Sequence, residues 1–262
     1  MSITTVGNHL IHYEVLGRGK PLIFIHGWLG SWRYWWPSMQ AMSSQYRSFA
    51  FDLWGFGDSS KAPEQYTIDA YVEMLHQFID TLGVAPPVVL IGHSLGGIVA
   101  TRYTIKYPDS VNKVITVAMP VTGSDINNKL TDTDPDTFLN KIVKSNNFSE
   151  VDTEIRKTDL TAFNKLASEV TLDNYAPDLV NFPRPLLMLH GGQDAIVQQP
   201  AGENSYLLEN EERRFYVSLD DCQHFPMLQE KAKFNRLMLD FIIAGDNLTE
   251  LAPKEYWQRR TR

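Results

Sequence analysis

Residues 88–98 read Val88-Val89-Leu90-Ile91-Gly92-His93-Ser94-Leu95-Gly96-Gly97-Ile98, an apolar run that meets a G-x-S-x-G pentapeptide and continues into a second apolar stretch. A short, continuous apolar run is what a strand covered on both faces of a sheet requires, and the residues from Gly96 to Lys106 suit a helix. A strand that turns sharply into a helix brings backbone segments too close for Cβ atoms. Gly92 and Gly96 are therefore read as the small residues of the turn, and Ser94 as the strained residue at its apex. The Ser94 hydroxyl then stands near a helix N-terminus, where free amide donors and the helix dipole favour developing negative charge.

Outward from this stretch the same punctuation repeats. Towards the N-terminus, residues 3–6 and 10–15 flank Gly7-Asn8 and predict an edge hairpin. The runs 21–25 and 48–51 resemble 88–91, and further strands are expected at 111–117, 186–189 and 215–219. Ile68, Tyr71, Val72, Leu75, Phe78, Ile79 and Leu82 recur at helical spacing, behind Thr67 as N-cap and ahead of Gly83 as a stop. A last helix is expected over 227–243. Eight strand candidates alternating with helices predict an α/β fold, a mainly parallel twisted sheet of about eight strands flanked by helices.

Residues 121–182 break the alternation. They are rich in Asp, Asn, Thr and Lys, with one short helix suggested by Phe138, Leu139, Ile142 and Val143 and another by Leu160, Phe163, Leu166 and Ala167. A structureless loop of that length is improbable in a compact domain, so the reading is a small helical cap inserted after strand six, with 1–120 and 183–262 forming the core domain.

Composition narrows the classes. Against 24 basic residues stand 31 acidic ones, a balance that disfavours nucleic acid, and Arg259, Arg260 and Arg262 read as a solvated tail. Cys222 is the single cysteine, which excludes an intrachain disulfide and suggests a reducing, cytoplasmic setting. The first fifteen residues lack the pattern of a signal peptide, and no window reaches the length of a membrane span.

A hydroxyl is a weak nucleophile near neutral pH, so Ser94 needs a base and the base an orienting carboxylate. His224 lies in the loop after the 215–219 strand, and Asp194 follows a buried strand and the Gly-rich turn His190-Gly191-Gly192-Gln193. Asp220 and Asp221 share a short loop with His224, which makes their geometry awkward. His93 is expected to point away from Ser94 and pack, and His26 and His190 to brace loops through hydrogen bonds. His12 and His76 default to surface or core. Cys222 has no elbow around it and reads as a small buried hydrophobe. The Trp32, Trp35 and Trp36 cluster fits a pocket wall or the core equally. Gly55-Phe56-Gly57 lacks a third glycine, and no P-loop or zinc-type His-Glu pair occurs, so neither a cofactor nor a metal is expected.

From about Leu10 to Ile243 the chain resembles the α/β-hydrolase fold family, in its serine-nucleophile branch with a small cap, similar to esterases and C–C hydrolases. Four separated places carry the resemblance. They are the elbow, His26-Gly27-Trp28, the loop Asp52-Leu53-Trp54-Gly55-Phe56-Gly57-Asp58-Ser59-Ser60, and the Ser, Asp, His order along the chain. The resemblance implies an oxyanion hole made by the amides of Trp28 and Leu95. Ser94 stands where epoxide hydrolases and haloalkane dehalogenases of this fold carry Asp, and the position after strand six reads Ala118-Met119-Pro120, without the carboxylate some members place there. The expectation is an acyl-enzyme on Ser94 formed from a small to medium ester-like substrate, with pocket walls at Trp28, Trp35, Met119, Val197 and Phe225. The alternatives are C–C, thioester or lactone hydrolysis by the same triad, or a ligand receptor with little turnover. Oligomeric state is left open.

Overall fold

The apolar runs become the interior of one sheet. In a computed structural model, which describes residues 2–127, 148–251 and 254, eight strands are present: β1 (Ser2–Val6), β2 (His9–Gly17), β3 (Lys20–Ile25), β4 (Tyr46–Phe51), β5 (Val88–His93), β6 (Val111–Val117), β7 (Leu186–Gly191) and β8 (Arg214–Leu219). Their order is β1-β2-β4-β3-β5-β6-β7-β8. The β1–β2 hairpin is antiparallel and β2 joins β4 antiparallel, whereas every pairing from β4 to β8 is parallel. All six residues of β5 and of β7 are buried, as the continuous apolar runs require.

Helices cover the sheet: α1 (Trp36–Met42), α2 (Ile68–Thr81), α3 (Leu95–Lys106), α4 (Ser149–Ile155), α5 (Leu160–Leu172), α6 (Ala176–Val180), α7 (Pro226–Gln229) and α8 (Lys231–Ile243). The Thr67 hydroxyl accepts from the Ala70 amide at 3.1 Å to start α2, and its apolar stripe from Ile68 to Ile79 is buried. Beyond it, Gly83 takes φ 60° to end the helix.

The helix expected over 227–243 is two helices. Pro226 opens α7, and Glu230 leaves the helical region at φ −123°, ψ 53°. The Gln229 side chain accepts from the Gln223 amide at 2.8 Å, which ties this first turn to the preceding loop.

Between β6 and β7 lie α4, α5 and α6. The helix suggested around Phe138 to Val143 falls outside the described residues, as do Arg259, Arg260 and Arg262, whereas that suggested around Leu160 to Ala167 is α5. Asp159 caps α5 by accepting from Thr161 N–H at 2.8 Å, and Ala162, Phe163, Leu166 and Val170 form its buried face. Polar links fasten this segment to the sheet side: Arg33 to the fully buried Glu154 (3.0 Å), Lys157 to Asp58 (2.9 Å), Tyr66 to Asp159 (2.7 Å) and Arg102 to Asp178 (2.8 Å). The Phe163 ring stacks on Trp28, centroids 4.5 Å apart. Among the described residues, no helix is long and apolar enough to cross a membrane.

Candidate active site

The carboxyl ends of the parallel strands carry Ser94, Asp194 and His224, after β5, β7 and β8. Ser94 follows β5 with φ 49° and ψ −115°, a conformation costing a non-glycine residue on the order of 1–3 kcal/mol. Hydrogen bonds over-determine it: its amide donates to the Val117 carbonyl at 2.8 Å, and its carbonyl accepts from Gly97 N–H at 2.9 Å. A Cβ on Gly92 would lie 2.2 Å from the Gly96 carbonyl oxygen, and one on Gly96 would lie 2.4 Å from that of Ile25. Backbone must move to admit either, so Gly96→Ala is expected to destabilise the fold by about 2 kcal/mol, read as a drop of roughly 4–8 °C in Tm by calorimetry. An unchanged Tm would refute the close-packed elbow.

The loops after β7 and β8 meet through glycine. A Cβ on Gly191 would lie 2.1 Å from the Gln223 carbonyl oxygen, and Gln193 N–H donates to the Cys222 carbonyl at 2.9 Å. This contact brings Asp194, after β7, to His224, after β8: Asp194 Oδ2 accepts from His224 Nδ1 at 2.8 Å. The other oxygen, Oδ1, accepts from Ile196 N–H at 2.8 Å and Val197 N–H at 3.0 Å. Burial pushes the Asp194 carboxyl up, but the His224 charge, their hydrogen bond and the two amides outweigh it and hold the group below its ordinary value. Asp220 is engaged elsewhere, accepting from Ser218 at 3.0 Å.

Ser94 and His224 are both nearly buried. They are linked through His93, adjacent to Ser94 in the chain, whose ring lies 4.6 Å from that of His224. Among the described residues no direct Ser94–His224 hydrogen bond is formed, and such contacts commonly tighten only when substrate binds. The Trp28 and Leu95 amides donate to no protein acceptor among the described residues, and Leu95 is the first residue of α3, where the helix supplies no partner.

A cavity of about 30 Å³ touches Ser94 and is lined by Trp28, Leu95, Pro120, Ile126, Leu166, Val170, Ile196 and Val197. Of the expected walls it takes Trp28 and Val197. Trp35 is a correction: it is fully buried among Phe24, Tyr34 and Phe234, because its flat ring fills the layer between sheet and α8. Met119 is also displaced from the wall, packing beneath α3 with its sulfur 3.5 Å from the Thr101 hydroxyl and leaving Pro120 exposed to the cavity. Phe225 packs on His93 and Tyr34 and lies outside this lining. Leu166 and Val170, four residues apart on α5, and Ile196 beside Asp194 were not anticipated. Their i, i+4 spacing and loop position were the available signals.

His26 and His190 brace loops. His26 Nδ1–H donates to the Gly27 carbonyl at 2.7 Å while Nε2 accepts from Leu53 N–H at 2.9 Å, and His190 Nε2–H donates to the Met119 carbonyl at 3.0 Å. Buried His12 donates to Asp52 at 2.9 Å, and His76 stacks on Tyr107. His12, Asp52 and Asp58 have metal-ligand proximity, but internal bonds engage them: Asp52 also accepts from the Trp32 and Asp58 amides, and Asp58 pairs with Lys157. Burial pushes the Cys222 thiol up to about 11, which disfavours a thiolate.

The chain is similar to several known hydrolases. Human (lyso)-N-acylphosphatidylethanolamine lipase is 40% identical over 102 residues, 37% of this chain and 29% of the lipase. The chain thus spans less than a third of that relative. Along nearly its full length, 92% of this chain and 90% of the relative, it is 23% identical to 2-hydroxy-6-oxo-6-(2'-aminophenyl)hexa-2,4-dienoic acid hydrolase of Metapseudomonas resinovorans. The solved structure of an esterase from Exiguobacterium antarcticum superposes with a TM-score of 0.79 at 18% identity, over 92% of this chain and 98% of the esterase. With residues 20–155, just over half of the sequence, matching the model of the alpha/beta hydrolase fold, the strand order, the elbow and the family match agree that this chain belongs to the alpha/beta hydrolase fold family.

Proposed function

We propose that the chain is a serine hydrolase that cleaves carboxylic esters of small to medium apolar substrates through an acyl-enzyme on Ser94. The observation that carries this reading is the buried Asp194–His224 pair, set beside a strained serine whose neighbouring amides, Trp28 and Leu95, are free to donate. In the proposed cycle His224 takes the Ser94 proton as the hydroxyl attacks the acyl carbonyl, and the two amides hold the oxyanion. His224 then protonates the departing alcohol. Water, activated by the same imidazole, attacks the acyl-enzyme and releases the acid. The helical segment between β6 and β7 acts as a cap in this reading, its Leu166 and Val170 lying against the acyl group.

The test is hydrolysis of p-nitrophenyl esters from acetate to long acyl chains. A cavity of about 30 Å³ walled by apolar side chains favours the shortest acyl groups. Leu166→Ala should move the optimum of kcat/KM upward by about two carbons, since the removed side chain opens room at the wall. A native optimum at the longest chains, or no turnover with any ester, counts against the reading. The full-length similarity to the dienoic acid hydrolase favours one second reading, C–C cleavage by the same three residues, which turnover of a vinylogous diketone without ester turnover would support.

A further inference from the structure

Tyr34 and His93 are buried, polar and unused by the reaction just described, yet they touch both of its halves. The Gly27 amide donates to Tyr34 Oη. Tyr34 Oη also lies 2.9 Å from His93 Nδ1, and His93 Nε2 lies 2.8 Å from the carbonyl oxygen of His224. The directions follow from the end groups. A carbonyl only accepts, so Nε2 carries the His93 proton, Nδ1 is a bare acceptor, and the Tyr34 hydroxyl donates to it while accepting from Gly27. One unbranched chain of hydrogen bonds therefore runs from the amide preceding Trp28 to the backbone of His224.

We propose that Tyr34 and His93 are positioning residues that hold the oxyanion loop and the His224 loop in mutual register. The proposal rests on the reading of Trp28 N–H as an oxyanion donor and His224 as the base. Both residues are buried, and the His93 ring packs on His224, Tyr34 and Phe225. Gly27 is the close point of the assembly: a Cβ there would lie 2.6 Å from His93 Nδ1 and 3.0 Å from the Ser94 Cβ. The chain works in one charge state. An imidazolium at His93 would carry a second donor towards Tyr34, stranding the hydroxyl proton in a buried site. Burial, reinforced by the neighbouring His224, holds His93 well below the usual imidazole range, and burial likewise keeps Tyr34 protonated. No proton moves along the chain during the reaction. Its effect is geometric, fixing where the Trp28 amide and the His224 ring stand relative to Ser94, a placement whose error of about 1 Å costs roughly 100-fold in rate.

The relay separates from ordinary core packing by its kinetic signature. Tyr34→Phe keeps the ring and removes only the oxygen. With p-nitrophenyl acetate it should lower kcat by roughly 10- to 100-fold while KM stays within about twofold. His93→Gln, whose amide nitrogen can donate to the His224 carbonyl, should recover at least about tenfold over His93→Ala. A Tyr34→Phe protein that keeps native kcat overturns the proposal, as does one whose loss lies wholly in KM. Nitrogen-15 NMR of the histidines in the native protein gives a readout free of turnover and of variant folding. His93 should remain a neutral Nε2–H tautomer from about pH 5 to 9. An Nδ1–H tautomer, or titration of His93 within that range, overturns the relay. If the native protein turns over no ester, the catalytic reading has failed, whereas the tautomer still reports whether the hydrogen-bond chain exists.

Discussion

Ser94→Ala should lower ester turnover by about 10⁴-fold or more, the largest effect expected of any single replacement. In the proposed cycle the hydroxyl oxygen forms the acyl bond, and alanine offers nothing in its place. What survives would come from the Trp28 and Leu95 amides and from binding, which position a carbonyl for attack by water alone. The backbone bonds of residue 94 to Val117 and Gly97 do not involve the side chain, so the variant should fold with native Tm. The measurement is p-nitrophenyl acetate hydrolysis, together with labelling by a fluorophosphonate probe in native protein and variant. Loss of both in a folded variant establishes the nucleophile. Retained turnover would move the nucleophile elsewhere and remove the serine reading altogether.

Asp194→Asn should be nearly as damaging, at about 10⁴-fold in kcat, and for a reason that the two amides at Ile196 and Val197 make specific. Both donate to Oδ1 of residue 194, so the oxygen of an asparagine would take that position and its NH₂ group would face His224 Nδ1. A donor facing Nδ1 forces the imidazole proton onto Nε2, the nitrogen that must be bare if His224 is to accept from Ser94 as proposed. The geometry would stay and the tautomer would be wrong. Acid stability gives an independent check. Because the Asp194 carboxyl is held below its ordinary 3.8 in the folded chain, its ionised form stabilises the native state above that value. The contribution disappears as pH falls through the lower folded-state value, and the asparagine variant should lack that part of the acid transition. Native kcat in the variant, with an unaltered acid limb, would show that Asp194 does not orient the base.

The strands were legible because residues buried on both faces leave a continuous apolar run, and β5 and β7 carry that signature. Legible too was the elbow, since two glycines flank a serine between strand and helix patterns. Placing Asp194 and His224 needed only that each follow a strand which the sheet sets side by side, and the structure joins them. Pocket walls were harder. Leu166 and Val170 belong to a segment whose apolar period is weak, because only one narrow face of α5 is buried. Trp35 is equally apolar wherever it points, and only the close-packed layer between β3 and α8 decides its direction. Tyr34 left no trace at all: a tyrosine between Arg33 and Trp35 says nothing of a partner fifty-nine residues on. The break at Glu230 was hidden because a one-residue departure barely disturbs a helical pattern.

Along α5 and its N-cap two sets of residues interleave without sharing a position. Phe163, Leu166 and Val170 face inward, whereas Asp159, Lys165 and Glu169 reach sideways to Tyr66, the Pro63 carbonyl and the Ile68 amide. If Leu166 and Val170 wall the acyl site as proposed, recognition and fastening are written in separate letters of one helix. On that reading, a library that varies the inward letters alone should retune acyl selectivity while the segment between β6 and β7 stays fastened. For directed evolution of the proposed activity that separation is an asset, since selectivity should drift in small steps without each step passing through an unlatched protein.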